Sequence, residues 1–245
     1  MLQRNFVYQQ LLLQLRAAAD PRYQVFAQKL NPGISRILGV RMPALRKIAA
    51  AALRRSDAAA LLETLPEECT QEELLVQALA VASLPEPPGP CLLEVKKFLP
   101  RINGWALCDL LCGELKFARI YQKEVFSFLQ QLYGSPGTYD IRFAAVMSLL
   151  YFMNQAQLGE VLECLARCST TDYYASQGVA WALAEAFFCD PERTADFLAQ
   201  GRMDEVTLRR TLRKIRESHK LNRLGVEVLY RNNLGKKIFK ARNPR

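Results

Sequence analysis

Thr138-Tyr139-Asp140-Ile141-Arg142-Phe143-Ala144-Ala145 opens the stretch, residues 138–200, on which the fold turns. Apolar residues recur there every three or four positions, the period of an amphipathic or buried helix. Breakers frame and divide the stretch: Gly134-Ser135-Pro136-Gly137 ahead of it and Cys189-Asp190-Pro191 inside it. It reads as two helix pairs in a row, 138–153 with 155–168 and 172–188 with 190–199. Paired helices of similar length with short turns describe an α-solenoid better than a four-helix bundle.

The same period extends in both directions. Toward the N-terminus, helices are expected at 2–19, stopped by Asp20-Pro21, and at 21–30, ended by Asn31-Pro32-Gly33. Leu38-Gly39-Val40-Arg41-Met42-Pro43 is a tight connector, and Pro43 suits the first position of a helix over 43–55. A short helix at 57–64 follows. Thr70 with Glu73 spells a capping box for 71–84. After the stiff turn Pro85-Glu86-Pro87-Pro88-Gly89-Pro90 come 90–99, 101–115 and 119–133. Past the 138–200 block lie 204–218 and 220–232. Strand-like alternation is nearly absent, so the fold class is all-α. Residues 1–235 are expected to form one helical domain, with 236–245 a basic C-terminal tail.

No apolar run approaches the ~20 residues of a membrane span, and Met1-Leu2-Gln3-Arg4-Asn5-Phe6 lacks the order of a secretory signal. The seven cysteines follow no framework spacing and read as reduced thiols of a cytoplasmic protein. The net charge is +9, and its location is informative. Residues 201–245 hold 14 Lys/Arg against 4 Asp/Glu, whereas residues 1–200 hold 19 against 20. A basic segment of this kind suits a polyanion, most often nucleic acid, or else serves as a solubilising face.

Four places carry possible chemistry. Ile102-Asn103-Gly104-Trp105-Ala106-Leu107-Cys108-Asp109 puts an indole and a carboxylate four residues apart on one helix face, about 5–6 Å apart at Cβ. The pair is either a ligand-facing constellation or a half-buried Trp with a surface acid near a helix start. Arg142 lies near the N-terminal, positive end of its helix, where a cation is unfavourable, so it either has a specific anion partner or is an ordinary surface Arg. Tyr174 and Trp181, seven apart, share a stripe beside the small residues Ala175, Ser176, Gly178 and Ala180. Such a stripe packs a core or admits a ligand. Thr207–Arg216 is a basic amphipathic helix. Leu208, Leu212 and Ile215 face inward while Arg209, Arg210, Arg213, Lys214 and Arg216 spread outward, as a phosphate-tracking surface would.

Other chemistries lack their residues. With one histidine, His219, no His-rich metal site exists, and Cys108 with Cys112 has no second ligand pair for zinc. No phosphate-binding glycine loop or G-x-S-x-G elbow occurs.

The ordered set Leu38-Gly39-Val40-Arg41-Met42-Pro43-Ala44-Leu45-Arg46, Trp105-x-x-x-Asp109, Ile141-Arg142-Phe143-Ala144-Ala145 and Ala180-Trp181-Ala182-Leu183, then Pro191, resembles the DNA alkylation repair enzyme family. These are the HEAT-repeat alkylpurine DNA glycosylases of AlkD type. The resemblance spans about residues 20–218. It implies a C-shaped solenoid of HEAT-like repeats with a basic concave face for double-stranded DNA. It implies a cleft lined by Trp105, Asp109, Arg142 and Trp181, with Asp109 and Trp105 catalytic. Arg142, Trp181, Arg41, Arg46, Arg209, Arg213 and Arg216 would then bind the lesion or the DNA. The implied reaction removes cationic alkylated purines such as 3-methyladenine and 7-methylguanine without a cofactor or metal, and the chain is expected to act as a monomer.

The sequence departs from the family at one cleft position. Members carry a Tyr nine residues before the Gly of the Leu-Gly connector, and here that residue is Leu30, with Tyr23 the nearby aromatic. The Lys that often follows the second cleft Trp is also missing. Non-catalytic binding of damaged or branched DNA, a protein-interaction scaffold and an RNA-binding helical repeat are the rival readings.

Overall fold

The computed structural model describes residues 2–55, 62, 66, 68–85 and 88–238. Among these there are 14 α-helices, two 3₁₀ turns and no strand. The all-α expectation holds. Of the expected helix at 57–64, only Leu62 is among the described residues. No described helix is long and apolar enough to cross a membrane. The helices gather into two compact units, Met1–Phe117 and Ala118–Arg245.

The first unit contains α1 (Leu2–Ala17), α2 (Pro21–Leu30), α3 (Met42–Arg55), α4 (Gln71–Ala82), α5 (Gly89–Phe98) and α6 (Trp105–Glu114). Its centre is α4, whose residues from Gln71 to Val81 are all buried. Helices α3, α5 and α6 pack around it, and α1 packs on α3. The capping box at its start forms as expected: the Thr70 amide donates to Glu73 Oε2 at 2.9 Å, and the Glu73 amide donates to Thr70 Oγ1. Glu73 also accepts the Tyr8 hydroxyl at 2.7 Å, so the cap ties α1 to α4.

Glu72 does more. Only 3 % exposed, its carboxylate accepts the amides of Leu38 (2.9 Å), Gly39 (2.8 Å) and Val40 (3.1 Å). Three successive N–H groups that belong to no helix are satisfied by one charged side chain, which offsets the cost of burying that charge. The connector can be this tight because Gly39 adopts φ +87°. A Cβ there would also lie 2.6 Å from the Asp20 carbonyl.

The second unit contains α7 (Gln122–Leu132), α8 (Thr138–Tyr151), α9 (Leu158–Ala166), α10 (Tyr173–Cys189), α11 (Pro191–Ala199), α12 (Glu205–Glu217), α13 (Arg223–Arg231) and a last turn, α14 (Gly235–Ile238). Its centre is α10, packed on α8, α9, α11 and α12. Ala175, Ser176, Gly178, Ala180, Ala182 and Ala184 are buried along it. These small side chains let the neighbours approach closely. Two buried hydroxyl pairs cross between helices, Tyr133 with Ser148 and Ser176 with Thr207. All seven cysteines are free.

Two boundaries differ from the sequence reading for local reasons. The helix expected over 101–115 starts only at Trp105, because Leu99–Arg101 forms a 3₁₀ turn and Ile102 and Gly104 are extended. At the C-terminus, Asn233 turns left-handed at φ 60°, a common helix stop. The chain then makes α14, where Lys237 reaches Glu205 at 3.6 Å. The basic tail expected from 236 thus begins with a docked turn, and residues 239–245 lie outside the described residues.

Replacing Glu72 by Ala orphans three amides and should lower the unfolding free energy by about 3 kcal/mol in urea denaturation. A loss below about 1 kcal/mol would show that the clip is dispensable.

Candidate nucleic-acid interface

In the first unit the site grows from the start of α6. Gly104 precedes the helix in an extended conformation and offers no side-chain cap. A Cβ there would lie 2.8 Å from Ile34 Cδ1, so the tip of that side chain would have to shift. Trp105 is therefore the first helical residue, and Asp109 follows one turn on. Both are half-buried, while Leu107, Cys108, Leu111 and Cys112 turn into the core. Trp105 Nε1 donates to the carbonyl of Leu30 at 3.3 Å. The contact is with the main chain of residue 30, so it does not depend on that residue's side chain. Tyr23 is engaged elsewhere: its ring lies 5.9 Å from that of Phe26 and 4.8 Å beneath the Arg41 guanidinium.

Among the first-unit arginines, Arg41 and Arg46 are exposed and ion-paired. Arg41 bonds Asp20 at 3.0 Å, and Arg46 bonds Glu114, the last residue of α6, at 2.6 Å. The amide of Tyr23, and after it Arg41, hold the Asp20 carboxyl below its ordinary range. Exposed pairs of this kind are worth at most about 1 kcal/mol, so a phosphate competes readily for either guanidinium.

The charge distribution is finer than a division at residue 200 shows. Residues 1–55 carry ten Lys/Arg and one acid, Asp20, while residues 56–200 carry nine Lys/Arg and 19 acids. The charge excess is therefore not confined to the last 45 residues. Arg16, Arg22, Lys29, Arg36, Arg41, Arg46, Lys47 and Arg54 are all exposed. A count over shorter windows would have found this second basic region.

In the second unit Arg142 lies on the α8–α10 contact, and Trp181 is carried by α10. Arg142 is only 6 % exposed. Its stem runs across Gly178, where a Cβ would lie 3.1 Å from Arg142 Cγ and 3.2 Å from its Cα. Its Nη1 donates to the Tyr174 carbonyl at 3.1 Å. The place of an anion partner is taken in part by a carbonyl oxygen at the N-terminal end of α10. Tyr174 in turn stacks with Tyr139 of α8 at 6.0 Å. Trp181 is half-buried, two turns along the same stripe.

The basic helix α12 buries Thr207, Leu208, Thr211, Leu212 and Ile215, in agreement with the inward face that its leucines predict. Arg209, Arg213 and Arg216 are exposed. Arg209 lies 4.0 Å from Glu205, and Arg216 lies 3.3 Å from Glu217. The sequence did not reveal the use of the other two cations. Arg210 covers the Tyr173 ring at 4.8 Å, and Lys214 covers Trp181 at 5.9 Å. Lys220 likewise covers Phe188 at 5.6 Å and pairs with Glu185 at 2.6 Å. Aromatic rings of α10 and cations from and just beyond α12 thus form one interleaved surface.

Helical units that expose cations among aromatic faces define a protein suited to a nucleic acid. The family model is specific on the point: residues 11–215 match the DNA alkylation repair enzyme family. The chain belongs to that family, and a role in the repair of alkylated DNA goes with membership. Comparison with curated proteins gives no match.

Gly178→Val should push Arg142 off α10 and cost about 1–3 kcal/mol, because backbone as well as side chain must give way. Thermal melts of Gly178→Ala and Gly178→Val test this, with the larger loss expected for Val. Equal stability in all three proteins would show that the approach is not tight.

Proposed function

We propose that the protein is a DNA glycosylase that excises cationic alkylated purines, of the 3-methyladenine and 7-methylguanine type, from duplex DNA. The observation that carries the reading is the pair Trp105 and Asp109, half-buried one turn apart at the start of α6, in a chain of this family. With it go the HEAT-like pairing of helices and the basic concave face that the resemblance implies.

The chemistry follows from the leaving group. An N-alkylated purine already carries positive charge and departs readily. Cleavage leaves a sugar with oxocarbenium character. The carboxylate of Asp109 stabilises that cation and orients a water for attack, as acids do in glycoside hydrolysis. Trp105 and Trp181 offer π faces to cationic base or sugar, each worth up to ~2 kcal/mol when desolvated. Arg142 holds a backbone phosphate beside the lesion. Arg41, Arg46, Arg209, Arg213 and Arg216 exchange carboxylate or water for phosphate along the duplex.

A second reading has its own observation. Position 30, where the family resemblance leads one to expect a cleft tyrosine, is Leu, and a site lacking one ring suits a protein that holds damaged DNA without cutting it. Release of 7-methylguanine from alkylated duplex separates the two readings. The wild type is expected to release it without added cofactor, and Asp109→Asn to slow release at least about a hundredfold while still binding DNA. Equal rates would remove Asp109 from the mechanism, and no release by the wild type would leave the binding reading.

Neutralising Arg209, Arg213 and Arg216 should flatten the salt dependence of duplex binding by up to about 0.9 for each phosphate no longer neutralised. An unchanged slope would make α12 a solubilising face.

A further inference from the structure

Two arginines converge on consecutive residues at the start of α10. Arg142 donates to the carbonyl of Tyr174. Arg210, reaching across from α12, lies over the ring of Tyr173, its guanidinium carbon 4.8 Å from the ring centre. The two points of attachment are chain neighbours, so their Cα atoms stand about 3.8 Å apart. The tyrosines belong to one cluster: Tyr173 meets Tyr174 edge-on at 5.2 Å, and Tyr174 stacks with Tyr139 at 6.0 Å. Tyr173 itself adds little to the core, since it is 56 % exposed. An exposed phenol at the first position of a helix, bracing a half-buried arginine, calls for a reason other than packing.

The reason lies in how Arg210 is held. On the same helix, Arg209 and Arg216 lie beside acids, Glu205 and Glu217. Arg210 pairs with no acid among the described residues. An acid holds a cation and cancels its charge, whereas a ring holds it and leaves the charge in place. The acid next to Tyr173, Asp172, is committed to the amides of Tyr174 and Ala175, at 2.7 and 3.2 Å. A guanidinium over a ring keeps its N–H donors, which point along its own plane and suit an oxyanion. Its long stem is ordered before a ligand arrives, so less conformational freedom remains to be lost on binding.

We propose that Arg210 grips a phosphate of the DNA backbone next to the one held by Arg142, and that Tyr173 is the positioning residue that holds Arg210 for it. This rests on the reading of duplex DNA as the partner, and it adds where the strand is held: over the start of α10, by two guanidinium groups tied to neighbouring residues. Tyr173 touches no DNA in this arrangement. Its ring acts only through the arginine above it. The grip carries no sequence information, because phosphates are alike at every step.

The test is a set of anisotropy titrations of one labelled duplex over a range of salt. The proteins are wild type, Arg210→Gln, Tyr173→Leu, Tyr173→Phe and the double variant Tyr173→Leu with Arg210→Gln. Arg210→Gln should weaken binding about tenfold at ~0.1 M salt and flatten the salt slope by up to about 0.9, the part of one phosphate. Tyr173→Leu should weaken binding about fivefold, the worth of one surface cation–π contact, with the slope unchanged because the charge is still present. Tyr173→Phe keeps the ring and should bind as the wild type does, which separates loss of the ring from loss of fold. The double variant should bind no more weakly than Arg210→Gln alone, since the ring has nothing left to position. An unchanged slope in Arg210→Gln overturns the grip. Losses that add in the double variant, or equal losses in Tyr173→Phe and Tyr173→Leu, overturn the positioning role, as direct contact of Tyr173 with DNA would give. The expected pattern without release of 7-methylguanine supports the grip and overturns the glycosylase reading. Release of 7-methylguanine with binding equal in all five proteins overturns the grip alone. Failure of the wild type to bind duplex overturns both.

Discussion

A buried carboxylate organises the N-terminal half of the molecule. Glu72 collects the amides of Leu38, Gly39 and Val40, and by doing so it fixes where α3 begins. Arg41, the next residue, is delivered to Asp20 and Tyr23. The same segment offers the carbonyls of Ile34 and Ile37 to Gln28 and Gln24. Thus α2 is positioned by polar contacts to a connector that is itself held by one side chain of the central helix. An isolated charge in that place would be costly. Three donors in line make it tolerable, and removing the charge leaves three unsatisfied amides instead of none. The arrangement gives a rigid seat to a helix that contributes little apolar burial of its own.

The second unit solves its packing differently. A row of small residues on α10 lets α8 and α12 come close, and the closest point is Gly178 beneath Arg142. Arg142 is held by its stem as much as by its charge. The π faces of Tyr173, Trp181 and Phe188 are covered by Arg210, Lys214 and Lys220. Each of these cations is thereby held over the outer edge of α10, where phosphate would meet it. A cationic ligand approaching Trp181 meets a ring already shared with Lys214, so the ammonium must move as the ligand arrives.

The architecture was largely legible because helices announce themselves. Period, capping box and breakers placed most elements, and α2 at 21–30 matches residue for residue. Errors arose where local backbone overrode the pattern, as at Ile102 and Gly104, whose extended conformation delays α6 to Trp105. The site was legible in pieces. The four-residue spacing of Trp105 and Asp109 needed only a helix, and the inward face of α12 needed only its leucines. The partners of these residues were not legible, because they are tertiary. Nothing near Glu72 in sequence points to residues 38–40. Nothing near Trp105 points to Leu30, 75 positions earlier. The N-terminal basic segment was visible in principle, but an acidic middle region cancels it in any long window.

That cancellation has a physical meaning. Carboxylates scattered among cations lower the potential a polyanion meets, and a duplex is repelled by acids as surely as it is drawn by bases. Concentration of the acids in residues 56–200 leaves residues 1–55, with ten Lys/Arg against Asp20, and residues 201–245, with 14 against four acids, predominantly positive. In the proposed reading, neutral groups acquire value within those fields: a half-buried Trp181 would meet DNA that the surrounding charge has already brought close. In the proposed reading, long-range attraction supplies affinity without discrimination, while the aromatic side chains and the Asp109 carboxylate respond to the state of a single nucleotide. Recognition of a small lesion in a long polymer requires both terms, and the sequence assigns them to different residues.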